Sequence, residues 1–215
     1  TVSAGLADGK TIGQGLEEMD KIASETLDDT FRTALSGDSK DYRESSSSLM
    51  FAFILALVLI YLILAAQFES FKDPFIIMLT VPLAIAGALI FMFAGGITMN
   101  IFSQIGIIML IGLVAKNGIL IVEFANLKQE SGEDKMAAIR NAALQRLRPI
   151  LMTSVSTILG LIPLAFATGE GANQRIAMGT AVVGGMLVST LLTMYIVPAI
   201  YTYISTNRKV KTETV

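Results

Sequence analysis

Apolar residues along this chain fall into five long runs, at 47–66, 75–94, 101–124, 150–167 and 177–197, separated by polar segments. A membrane-spanning helix needs about 20 mostly apolar residues, so each run predicts one crossing. The stretch 1–46 has a different character. Its positions Ile12, Leu16, Met19, Ile22, Ala23 and Leu27 recur at helical spacing. The segments 1–7 and 30–35 read as strands, which makes 1–46 a partial α/β element with one apolar face left to pack elsewhere. Residues 37–43 read as a polar turn and linker. The expected fold is an α-helical membrane protein of five spans preceded by this element.

The polar segments between runs carry their own signals. QFESFKDP at 67–74 reads as a tight turn, with Asp73 as an N-cap and Pro74 at the first helical position. Between the third and fourth runs, Met136, Ile139, Ala143 and Leu147 share a helical face opposite the cations. That pattern predicts an amphipathic helix over about 133–147, lying along the membrane surface. Pro82, Pro163 and Pro198 lie within apolar runs, where neighbouring helices can satisfy the carbonyls they free. Ala84 and Ala88, then Ala181, Gly185 and Ser189, place small residues every four positions, the pattern of close helix seams in lipid.

Composition supports a membrane chain: 53% of the 215 residues are hydrophobic and the mean hydropathy is +0.65. Cys and His are both absent. Disulfides and thiolate metal sites are thereby excluded, and imidazole proton carriers as well. Chemistry inside the membrane falls to Lys, Arg, carboxylates and hydroxyls. The opening at Thr1 has no signal-peptide pattern, and the chain reads as the C-terminal piece of a longer protein.

Loop cations assign an orientation. Lys72, the group Lys128, Lys135, Arg140, Arg146 and Arg148, and the tail residues Arg208, Lys209 and Lys211 put nine cations on one side. Arg175 alone stands on the other. The positive-inside rule then places 125–149 and the tail 205–215 in the cytoplasm, and 1–46 with 168–176 outside.

Lys116, near the middle of the third run and followed by Asn117, is the sharpest candidate for function. A lysine at bilayer depth costs at least about 2.5–3.5 kcal/mol on insertion scales and is normally paired, so an ion or proton pathway is its leading reading. The other four runs hold no carboxylate. Glu123 is seven residues on, about 10 Å along the same face, too far for a direct pair. The missing acid must come from another helix. Thr153, Ser154, Ser156 and Thr157 form a hydroxyl cluster at the start of the fourth run. Such hydroxyls usually bond the carbonyl one turn back or a neighbouring helix, and can relay protons beside a charge.

Four stretches together resemble the resistance-nodulation-division (RND) efflux pumps. They are 44–84 (ESSSSLMFAFILALVLIYLILAAQFESFKDPFIIMLTVPLA), GLVAKNGILIVEFAN at 112–126, RLRPILMTSVSTILGLIPLA at 146–165 and GGMLVSTLL at 184–192. The resemblance implies the end of a periplasmic porter subdomain followed by helices eight to twelve of a twelve-helix transmembrane domain. It places the family's proton-relay lysine on Lys116, its asparagine on Asn117, its threonine on Thr153 and its cytoplasmic-side arginine on Arg146. Two aspartates on the fourth helix of the family complete that relay and lie outside this sequence.

The same resemblance implies proton/drug antiport in the bacterial inner membrane, in a homotrimer coupled to a periplasmic adaptor and an outer-membrane channel. Substrates would be hydrophobic or amphiphilic small molecules, with protons as the coupling ion, no other cofactor, no enzymatic reaction and no nucleic acid. AKNGIL at 115–120 is more similar to the multidrug branch than to the heavy-metal exporters. The alternatives are a related membrane protein with another export task (metal, lipid or protein) or a truncated, non-transporting fragment.

Overall fold

The computed structural model describes residues 2–5, 12–28, 30–169 and 171–206, without the side chains of 38, 41 and 44–47. Seven helices follow in order: α1 Ile12–Thr26, α2 Asp38–Phe68, α3 Lys72–Met78, α4 Thr80–Ala94, α5 Ile101–Glu130, α6 Lys135–Ala165 and α7 Ala172–Ile204. Five stretches are long and apolar enough to cross a membrane: Ser48–Phe68, Lys72–Ala94, Ile101–Glu130, Lys135–Ala165 and Ala172–Ile204. They correspond one to one with the five apolar runs.

The α/β reading of the opening segment is corrected. No strand occurs among the described residues, and 2–5 and 31–36 have no regular structure. Residues 1, 6 and 7 of the first expected strand lie outside the described residues. A strand is held by its ladder partners and by burial of one face, and here Val2 and Phe31 are exposed. The helix between them forms as its spacing predicts. It leans on α2, where Arg43 pairs with Asp20 at 2.5 Å.

Two boundaries also move. The expected linker at 37–43 belongs to α2, which starts at Asp38 after Gly37 turns the chain at φ 64°. The expected surface helix is continuous with the fourth span as α6, with Pro149 inside it. Ala138, Ile139 and Ala142 of that segment are buried, whereas Met136 and Leu147 of the expected apolar face are exposed.

The expected turn narrows to 69–71, between the end of α2 and the start of α3, and Asp73 lies inside α3 and is not its N-cap, which is Phe71. The Ser70 hydroxyl accepts the backbone N–H groups of Lys72 at 3.2 Å and Asp73 at 3.4 Å. Asp73 instead points inward and is 2% exposed. Its carboxylate accepts from the Asn126 amide at 3.0 Å and the Ser205 hydroxyl at 3.1 Å. Tyr201 donates to the Asn126 carbonyl oxygen, and Gln129 donates to Tyr201 at 2.8 Å. Lys135 donates to the Thr202 carbonyl at 2.8 Å, closing the C-terminal end of α7. These bonds tie α3, α5, α6 and α7 together where the long helices meet the α2–α3 turn.

Two apolar clusters fill the bundle. Ile76, Ile77, Ile121, Val122, Ile139, Ile150, Val197 and Tyr201 pack near that turn. Ala84, Ala88, Leu110, Val114, Ala181, Val182 and Met186 pack toward the other end. Here the small-residue seam appears as its spacing predicts: Ala84, Ala88, Ala181, Gly185 and Ser189 are all buried between α4 and α7. A Cβ on Gly185 would stand 2.2 Å from a Leu110 methyl and 2.9 Å from the Ala84 carbonyl oxygen. α7 packs on α3, α4, α5 and α6, whereas α2 meets only α1, α3 and α5.

Candidate functional site

The third apolar run becomes α5, a helix of 30 residues, about 45 Å long at 1.5 Å per residue. Its start is set by a capping box, in which Asn100 accepts from the Ser103 backbone N–H at 2.9 Å and donates its own to the Ser103 hydroxyl at 2.9 Å. Most of α5 is enclosed by α2, α3, α4, α6 and α7, but one stripe stays open: Ile105, Met109, Gly112, Lys116, Glu123 and Leu127. Steps of three, four and seven residues keep these positions on one helical face. Lys116 is therefore at mid-span on the uncovered face. Among the described residues it forms no hydrogen bond or ion pair.

Asn117, one residue on, turns the other way and is 3% exposed. Its amide donates to the Ser154 hydroxyl of α6 at 3.3 Å and to the Thr190 hydroxyl of α7 at 3.4 Å. Thr190 in turn donates to Ser154 at 3.2 Å. Three helices are joined through three side chains with no charge among them. Lys116 and Thr153 each precede one member of the Asn117–Ser154 pair, so they stand at nearly the same depth, within about 3 Å by helical rise.

Thr153 is exposed. Its hydroxyl donates to the Ile150 carbonyl at 3.1 Å, and its own carbonyl accepts from Thr157 at 2.8 Å. Arg146, two turns nearer the α5–α6 connection, is half-buried. Its guanidinium carbon lies 4.5 Å from the centre of the Phe124 ring, and its Nε is buried without a hydrogen-bond partner. Lys116, Arg146 and Thr153 do not bond to one another. What they share is the two helices held in register by Asn117.

The connection itself is fixed by charge. Lys128 pairs with Glu133 at 2.9 Å, and the Asn141 amide donates to Glu133 at 3.0 Å. These two hydrogen bonds, Asn141 first and Lys128 second, hold the Glu133 carboxyl below its ordinary value of 4.5. Asp134 caps α6 by accepting the Met136 N–H at 3.1 Å.

Ser154 and Thr190 were not singled out by the sequence. Nothing separates Ser154 from Thr153 or Ser156 in a run apolar on every side, and Thr190 is one hydroxyl in a long apolar helix. A cavity of about 710 Å³ lies elsewhere, between α1, α2 and the first turns of α5, against Leu16, Tyr42, Phe53 and Ile107. No group of His, Cys, Asp or Glu among the described residues could hold a metal ion.

These features define a multi-pass membrane protein with an ionisable residue held at mid-span on a rigid three-helix frame. Residues 1–205 match the AcrB/AcrD/AcrF family, and the chain belongs to that family of RND transporters, which are not enzymes. It is 38% identical to an uncharacterized transporter of Haemophilus influenzae, over 97% of this chain and 21% of that protein. It is 39% identical to the toluene efflux pump membrane transporter TtgB of Pseudomonas putida, over 93% of this chain and 19% of TtgB. With the multidrug resistance protein MdtF of Escherichia coli it shares 40% identity, over 91% of this chain and 19% of MdtF. The chain spans about a fifth of the length of the relatives it matches.

Proposed function

We propose that this chain is the helix-eight-to-twelve portion of a proton-driven RND multidrug exporter of the bacterial inner membrane. Lys116 is its contribution to the charge site, with Asn117, Thr153 and Arg146 completing this half of the relay. The observation that carries the reading is the open stripe on α5, where a mid-span ammonium is exposed. An uncompensated charge at that depth is costly, so the stripe is a surface for an acidic partner helix of the same transporter. Seven residues below Lys116, the exposed Glu123 lies on the same stripe.

With the partner carboxylates deprotonated, Lys116 is held by net negative charge. Protonation weakens that attraction, and α5 with the helices bonded to it takes a second packing. A charge change biasing a two-state arrangement is the physical core of the coupling. Helix movement would reach the porter element, of which 1–46 is the last part, and drive extrusion of hydrophobic or amphiphilic molecules. A homotrimer, a periplasmic adaptor and an outer-membrane channel complete the assembly. The likeness to TtgB, a toluene efflux pump membrane transporter, and to MdtF, a multidrug resistance protein, supports the multidrug branch.

The test is ethidium efflux from energised cells expressing the full-length transporter. Lys116→Ala should abolish efflux at normal membrane abundance, because unpaired carboxylates change their protonation. Lys116→Arg should also fail, since a planar, permanently charged fork does not replace a compact ammonium. Wild-type efflux from the alanine variant would sink the assignment.

A further inference from the structure

Arg146 is a charged group of the candidate site that an aromatic ring holds. Its Nε is buried and has no hydrogen-bond partner. Its guanidinium carbon is 4.5 Å from the Phe124 ring centre, within the roughly 6 Å over which a ring face attracts a cation. Phe124 is a firm platform: it is partly buried and packed against the core cluster containing Ile121, Ala125 and Ile150. The second cation over the same ring, Lys128 at 5.8 Å, has an anchor of its own in Glu133. Arg146 has none besides the ring.

We propose that Phe124 is a positioning residue for Arg146, its ring face fixing the guanidinium on the α5 side of α6 at the level where the relay opens toward the α5–α6 connection. The proposal rests on the assignment of Arg146 to the relay and adds the group that aims it. Guanidinium is weakly hydrated and stacks on aromatic faces, so a ring can orient it without neutralising it, leaving its charge available to carboxylates beyond this chain. A salt bridge would quench that charge. Lys128 of α5, which lies over the same ring, is satisfied by Glu133 of the connection.

The experiment is a Phe124 series in the full-length transporter, read as ethidium efflux across external pH, with membrane abundance measured alongside. Phe124→Tyr and Phe124→Trp keep a ring face and should retain efflux and its pH profile. Phe124→Leu keeps apolar bulk but loses the face, and should cut efflux on the order of three- to thirty-fold. Its half-maximal pH should also move upward, because a carboxylate deprived of a fixed cation holds its proton at higher pH. A packing defect alone would lower efflux equally at every pH and leave the midpoint in place, which would overturn the proposal. If Arg146→Ala is inactive while Phe124→Leu matches Phe124→Tyr in rate and midpoint, the positioning role is wrong and the relay assignment survives. If Arg146→Ala exports normally, the relay assignment of Arg146 fails and this proposal fails with it.

Discussion

The side-chain amide of Asn117 donates to the hydroxyl of Ser154 across the α5–α6 interface at 3.3 Å, with Thr190 of α7 completing the junction. Both partners are buried. The bond sits one residue from Lys116 on one helix and one residue from Thr153 on the other. The depth of the ammonium is thereby set by groups that carry no charge. Ser154→Ala and Thr190→Val should each destabilise the bundle by about 0.5–2 kcal/mol, the span seen for interhelical hydrogen bonds in membranes. The double variant should cost less than the two singles added, since all three side chains share one network. Thermal inactivation of the purified full-length protein measures this, and strict additivity would count against a single junction.

Gly185 is wedged between backbone of α4 and a side chain of α5. A methyl group there meets both a Leu110 methyl and the Ala84 carbonyl oxygen, and the second cannot rotate away. Gly185→Ala should cost about 1–3 kcal/mol by overpacking. Gly185→Val should abolish accumulation in the membrane, whereas Gly160→Ala should be harmless, because a Cβ at Gly160 meets nothing within 4 Å. Immunoblots of membrane fractions distinguish these outcomes.

Glu133 gives the α5–α6 connection a pH dependence of known sign. Its carboxyl is held below 4.5 by the Asn141 amide and then the Lys128 ammonium. The stabilisation is thus fully present above 4.5 and is lost as pH falls through the lowered folded value. Asn141→Ala removes the larger cause and should move that loss upward, toward 4.5. Hydrogen exchange at residues 131–134, corrected for intrinsic rates, should reveal opening of the turn at a higher pH in the variant than in the parent.

Orientation is open to a direct chemical test. The chain has no cysteine, and both Ser131 and Thr168 are exposed. With Ser131→Cys and Thr168→Cys in the full-length transporter, an impermeant thiol reagent applied to intact cells should label position 168 and spare 131. Labelling of 131 alone would invert the topology drawn from the loop cations.

The sequence made the five spans legible because hydrophobicity over about 20 residues is a strong, local signal. It made the seam legible too, since Ala84, Ala88, Ala181, Gly185 and Ser189 announce themselves by size. Helix ends were harder to place. Charged residues at 38–43 read as linker, although a polar segment continues a helix as readily as an apolar one when its backbone bonds stay inside the helix. The surface helix and the fourth span, read as two elements, are one helix that runs through Pro149. Asp73 looked like a cap because capping signals are read locally, whereas its partners Asn126 and Ser205 are far along the chain. The strands were misread for a related reason: alternation of side chains does not say whether a neighbouring strand is there to pair with. At the site, Lys116 stood out by cost alone, but choosing Ser154 over Thr153 as the partner of Asn117 required the rotation of α6, which an all-round apolar helix does not encode.

The central place of α7 bears on how such a bundle is made. Synthesis runs from α1 toward α7, yet α7 is the helix on which α3, α4, α5 and α6 all converge. Until it enters the bilayer, the small-residue face of α4 has no seam to close against, and the Asn117–Ser154 pair lacks its third member, Thr190. The earlier spans can already touch one another, α5 on α6 above all, but their α7-facing sides stay open to lipid, which makes this interval the one in which an insertase or a membrane protease has its chance at the nascent chain. Packing on those faces is consequently late, completed when α7 arrives.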